Sequence, residues 1–124
     1  MLNFFKRSKN FPEFTELNNY VNKDMYFVRT AQWYYLDDKN ISVVDPKSPR
    51  LFTLDEWPQL VFIAANGQMT AKDYVYYIAG KYNGDIPPEL DKTIIYQLNQ
   101  LNSFGIIKFV QQKERPEKLF ELPG

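Results

Sequence analysis

The chain has 124 residues, with 15 basic and 15 acidic side chains balancing to a formal net charge of zero, and it contains neither cysteine nor histidine. Those absences exclude disulfides, thiolate nucleophiles, thiolate zinc sites and any histidine acting as base, ligand or near-neutral switch. A hydrophobic share of 44% and a charged share of 24% are those of one ordinary folded domain, and a core of this size needs no staple or metal.

Aromatic content is high at 17%, with ten Phe, nine Tyr and two Trp. Such side chains suit a half-exposed contact surface, because Tyr and Trp join an apolar body to a polar tip, and they equally fill a core short of Leu. Charge is unevenly spread. Residues 1–53 carry eight basic against six acidic groups, residues 54–105 three against six, and residues 106–124 four against three. Residues 54–105 are therefore net acidic.

Residues 1–25 are read as an N-terminal arm. The opening MLNFFKRSKN is basic with scattered Phe4, Phe5 and Phe11. It lacks the apolar core and cleavage site of a signal peptide, and no apolar run in the chain is long enough to span a bilayer. A membrane-surface helix using Lys6, Arg7 and Lys9 is the alternative to a frayed end, but the segment is too short to hold one alone. From Pro12 a short helix to about Asn22 would align Phe14, Leu17 and Val21.

Residues 26–124 read as a single domain. The aromatic and branched run MYFVRTAQWYYL, the turn DDKN, the strand ISVVD, a proline-bounded turn and the strand RLFTL predict a three-stranded antiparallel meander over 26–53. Asp37 and Asp38 form an adjacent carboxylate pair, but no further oxygen ligands follow at calcium-loop spacing, so a solvated turn is expected. Three helices then follow over 54–105. The first opens on a capping box from Thr53 to Glu56 and stops at Asn66-Gly67. The second opens at Thr70 with Asp73 near its positive end, carries Tyr74, Val75, Ile78, Ala79 and Tyr82, and ends at Gly84. The third begins at Pro87 or Pro88, repeats Leu90, Ile94, Leu98 and Leu101, and ends at Gly105. Beyond it, IIKFV and LFEL flank a charged turn and predict a C-terminal β-hairpin over 106–124. The fold class expected is α+β: a meander on a three-helix winged-helix-like bundle, with the hairpin as its wing.

Catalysis finds little support. The four serines sit in no nucleophile motif, and the five glycines form no phosphate-cradling loop. No catalytic residue, metal or cofactor is assigned. A nucleic-acid-binding winged helix would need cations on its third helix, whose only basic residue is Lys92, beside Asp91 and Glu89. Tyr96, Gln97, Asn99 and Gln100, with Lys108, Lys113, Arg115 and Lys118 on the wing, keep nucleic acid as the alternative partner.

The segments RLFTLDE, FIAANGQMTAKDYVYYIAGKY and IIYQLNQLNSFGII, within residues 26–107, resemble the small peptide-chaperone proteins of pyrroloquinoline quinone biosynthesis (PqqD-like) and, more broadly, the RiPP recognition elements. The resemblance implies a non-catalytic module that holds a precursor's leader peptide as an added strand, between the third strand and the third helix. Carried onto this chain, the edge strand is Arg50, Leu51 and Phe52, and the facing helix presents Thr93, Tyr96, Gln97 and Gln100. The early Trp57-Pro58, the arm and the terminal hairpin depart from the family pattern. The expectation is a cytoplasmic peptide- or protein-binding adaptor. A structural subunit that self-associates, for example as a homodimer, is the third reading, since zero net charge favours association.

Overall fold

In the computed structural model the described residues are 10–48 and 50–116, and they form an α+β fold with two three-stranded antiparallel sheets. In chain order the elements are α1 (Thr15–Asn18), β1 (Tyr26–Arg29), β2 (Trp33–Tyr35), β3 (Ile41–Val44), β4 (Leu51–Thr53), α2 (Glu56–Ala64), β5 (Asn66–Thr70), α3 (Ala71–Ala79), α4 (Leu90–Ser103) and β6 (Ile107–Val110).

The aromatic run over 25–36 is two strands in two sheets rather than one strand of the meander. Its break falls at the small and polar Thr30-Ala31-Gln32. Thr30 donates through its backbone N–H to the Ile106 carbonyl and through Oγ1 to the Gly105 carbonyl at 2.9 Å. These bonds tie the chain to the end of α4 before it turns into the second sheet. The meander is thus β2-β3-β4, with Trp33 opposite Val43 and Phe52 opposite Val43 on the other side. β1 instead lies between β5 and β6, pairing Tyr26 with Thr70 and with Val110.

Asn66-Gly67, expected only to stop a helix, begins β5. The ladder register shifts there between the Tyr26–Thr70 and Val28–Asn66 pairs. Gly67 has a φ of 78°, and a Cβ on it would run into the carbonyl of Glu114. Only glycine meets both demands. Glu114 itself donates its N–H to the Gly67 carbonyl and pairs with Lys108 at 3.3 Å. The chain after β6 therefore crosses β1 to reach β5. The predicted return strand LFEL lies outside the described residues.

The helices fit their sequence signals unequally. α3 has a complete capping box: Asp73 N–H donates to Thr70 Oγ1 at 3.0 Å, and Thr70 N–H to Asp73 Oδ2 at 3.2 Å. The box expected at Thr53 is absent, because Thr53 is spent in β4 and Asp55 becomes the N-cap of α2. α2 is secured at its other end. Arg29 Nη1 donates to the Ile63 and Phe62 carbonyls at 2.6 and 3.3 Å, while its guanidinium lies over the Trp33 and Phe62 rings. A cation on the last carbonyls of a helix satisfies them and opposes the dipole. α1 spans four residues where a longer helix was expected from Pro12 to Asn22.

α4 runs through the core, burying Leu90, Ile94, Ile95, Leu98 and Leu101 against Phe14, Phe27, Phe62 and Tyr74. Its first turn also buries Asp91, 2% exposed, whose carboxylate accepts the Leu17 N–H at 2.9 Å and the Lys92 N–H at 2.9 Å. That bond docks α1 onto α4. A second is made by Tyr20 Oη donating to Asn99 Oδ1 at 2.8 Å.

Candidate functional site

β4 is an edge strand, bonded to β3 alone. Asp45 N–H donates to the Arg50 carbonyl, and Val43 stands opposite Phe52. Backbone groups in an antiparallel ladder alternate in direction, so those of Leu51 and Thr53 point to the open side. Such an edge is a template for a further strand. Gln59 of α2 extends the same side of β3 where β4 has ended: its Oε1 accepts the Ile41 N–H at 3.1 Å and its Nε2 donates to the Lys39 carbonyl at 2.7 Å.

Between β4 and α4 lies an open groove of about 680 Å³, walled by Phe52 to Pro58 on one side and by Tyr96, Gln97, Gln100, Leu101 and Phe104 on the other. Its neighbour, about 460 Å³, is lined by Asp45, Lys47, Arg50, Leu51, Phe52, Ser103 and Phe104. Phe52 and Phe104 meet edge-on between the two, with ring centres 6.3 Å apart. The apolar surface is accessible: Tyr96 is 58% exposed, Leu51 48% and Phe104 47%. Gln100 Nε2 donates to Tyr96 Oη at 2.8 Å, which steadies the α4 wall by an i, i+4 pair.

Of the residues singled out from sequence, Phe52, Tyr96, Gln97 and Gln100 line the central groove, and Arg50 and Leu51 line its neighbour. Arg50 is partly engaged, since its Nε pairs with Asp45 Oδ2 at 3.2 Å. Asp45 also accepts the Lys47 N–H and the Ser48 hydroxyl. The Lys47 N–H bond is the main reason its carboxyl is held below the usual range, with Arg50 and Ser48 adding to the effect. Thr93 is not in the groove wall. It sits nearer the start of α4 and donates its hydroxyl to the Glu89 carbonyl at 3.4 Å. Sequence reasoning missed Trp57 and Phe104. Trp57 was visible as an anomaly beside Pro58 in a first helical turn, and Phe104 as a large aromatic beyond the Leu90–Leu101 stripe.

The Asp37-Asp38 pair lies between β2 and β3, and the basic residues Lys6, Arg7, Lys9 and Lys118 lie outside the described residues. Asp37 accepts the N–H groups of Lys39 and Asn40 at 2.8 and 2.9 Å, closing the β2–β3 turn, and these bonds hold its carboxyl below the usual range. Among the described residues there is no group of three acidic side chains able to hold a metal ion, and no helix is long and apolar enough to cross a membrane. No protein-family model, no curated protein and no solved structure matches this chain.

Proposed function

We propose that this protein is a non-catalytic binding module, which accepts an extended segment of a peptide or partner protein as an added strand on β4, seated between β4 and α4. The observation that carries the reading is the coincidence of an open strand edge with an aromatic groove. The outward backbone groups of Leu51 and Thr53 would supply hydrogen bonds, while Phe52, Phe104, Trp57 and Tyr96 would receive alternate side chains. Among the described residues the central groove is walled by Asp55 and Glu56 and by no basic side chain, which suits a peptide better than a phosphate backbone.

The specific version is a PqqD-like recognition domain that recruits a leader peptide to a modifying enzyme, on an architecture read as winged-helix-like. In that reading α2, α3 and α4 are the three helices, and β1 occupies the sheet position that a returning wing strand would take. The order α2-β5-α3-α4-β6 supports it.

A displayed library of random nonapeptides tests the proposal. The Leu51 N–H points away from β3, so Leu51→Pro removes a donor needed by an added strand and leaves the β3–β4 ladder in place. Selected peptides are expected to lose binding to Leu51→Pro and to Tyr96→Asp while tolerating Thr93→Ala. Full binding by the Leu51→Pro variant, with its circular dichroism unchanged, would refute strand addition.

A further inference from the structure

The trough beside β4 changes charge along its length, and we propose that it selects a peptide segment by charge order. Read from N- to C-terminus, the segment carries a basic residue, two apolar residues at alternate positions and an acidic residue, and it lies antiparallel to β4. The inference rests on the strand-addition reading above and adds to it the chemistry and direction of the bound strand.

The central groove and its neighbour form one trough. They share Phe52 and Phe104, and the central groove shares Thr53 to Glu56 with a third depression that continues past Asp37 and Lys39. Where β4 begins, Lys47 and Arg50 stand against one acid, Asp45. Both cations keep donors to spare. Arg50 is bonded to Asp45 through Nε, which leaves its Nη groups free among the described residues, and its side chain is 76% exposed. Lys47 Nζ donates to the Ser103 carbonyl at 3.4 Å, at the end of α4. The middle of the trough is aromatic, with Phe52, Phe104, Trp57 and Tyr96. Past the end of β4 stand Asp37, Asp55 and Glu56 against Lys39. Asp37 is taken up by its own turn. Among the described residues the ion pairs are Arg50–Asp45 and Lys108–Glu114, so neither Asp55 nor Glu56 has a cationic partner. Asp55 also makes no side-chain capping bond to α2. A bound segment therefore meets cations at one end and unpaired carboxylates at the other.

The sheet sets the direction. β2, β3 and β4 pair antiparallel throughout, and an antiparallel strand continues that pattern with the more stable kind of ladder. Its hydrogen bonds go to Leu51 and Thr53, so the side chain opposite Phe52 falls on the face where Phe104 packs. Side chains two positions away share that face. Toward the peptide's C-terminus the next one stands opposite Arg50, where a carboxylate completes a cross-strand charge pair. Toward its N-terminus the next one reaches Trp57 and Tyr96, and the one beyond that brings a cation to Asp55 and Glu56. The pattern is basic-x-apolar-x-apolar-x-acidic, a strand of about 20 Å. A parallel strand would need the opposite order, so charge order reports direction. Complementary charge of this kind fixes register and partner more than it adds affinity.

The test uses the full chain and two fluorescein-labelled peptides of identical composition, GKTLTFTEG and its charge-exchanged form GETLTFTKG, read by fluorescence polarisation. At low salt the first is expected to bind about tenfold more tightly, and the ratio should shrink as salt is raised. A variant carrying Lys47→Glu, Arg50→Glu, Asp55→Lys and Glu56→Lys should reverse the ranking. The milder Asp55→Asn with Glu56→Gln, checked for folding by circular dichroism, should reduce the ratio to about threefold or less. Equal binding of the two peptides, preference for the exchanged one, or a ratio unmoved by the substitutions would each overturn the proposal, as would failure of both peptides to bind. The nonapeptide library separates the two readings. If selected peptides are lost on Leu51→Pro yet carry no charge order, only this inference fails; if none depends on Leu51, the groove reading fails with it.

Discussion

Tyr74 offers the sharpest physical test of the core. The residue is 1% exposed, and its hydroxyl has no hydrogen-bond partner among the described residues. Its ring is well placed, edge-on to Phe27 with centres 5.5 Å apart and stacked on Tyr77 at 6.4 Å. Tyr74→Phe keeps the ring and removes the unpaired polar atom, whose burial costs about 1–3 kcal/mol. Stability at pH 7 should therefore rise by about 1 kcal/mol, or about 4 °C in Tm. The alkaline limb gives an independent reading. Burial, with a smaller contribution from Tyr77, pushes the Tyr74 phenol up to about 12 from its ordinary value of 10. The folded state thus holds a proton that the unfolded chain releases. The associated stability is complete below pH 10 and is lost as pH rises toward 12, at about 1.4 kcal/mol per pH unit and at most about 2.7 kcal/mol in all. Urea unfolding followed by circular dichroism between pH 8 and 11.5 measures both effects, with no cysteine chemistry to interfere. Tyr74→Phe should flatten the alkaline loss, leaving the part due to Tyr20, which burial also pushes up. A variant less stable than the parent at pH 7, or one with an unchanged alkaline slope, would refute the reasoning.

Three further substitutions address the joints of the fold. Asp91→Ala leaves the buried Leu17 N–H unpaired and releases α1 from α4; it should lower stability by about 2–3 kcal/mol, read as a shift in the urea midpoint. Arg29→Met keeps a long apolar stem but abandons the Phe62 and Ile63 carbonyls, at a cost of about 1–2 kcal/mol in thermal unfolding. Gly67→Ala meets both an unfavourable φ and the Glu114 carbonyl. It should cost at least about 1 kcal/mol and speed trypsin cleavage after Lys113, because the crossing segment loses its seat on β5; an unchanged cleavage rate would sink that account.

Along the sequence, the signals that held were local ones. The Leu90-Ile94-Leu98-Leu101 stripe foretold α4 and its buried face, because helical period is written in neighbouring residues. Thr70 with Asp73 foretold the start of α3 for the same reason, and the β4 edge and the outer face of α4 were placed well enough for Phe52, Tyr96, Gln97 and Gln100 to meet in one groove. The lack of cysteine and histidine likewise set chemical limits before any fold was known. What tertiary structure alone decided was partnership. An aromatic run such as 25–36 has strand character throughout, yet whether it pairs with β3 or with β5 and β6 depends on segments as far away as residues 66 and 110. Gly67 looks like any helix stop until Glu114 arrives against it, and Asp91 looks like a solvated acid until Leu17 docks on it. Period, capping and composition act within a few residues, whereas register, burial of a charge and the walls of a groove are set by contacts between parts of the chain that no local pattern links.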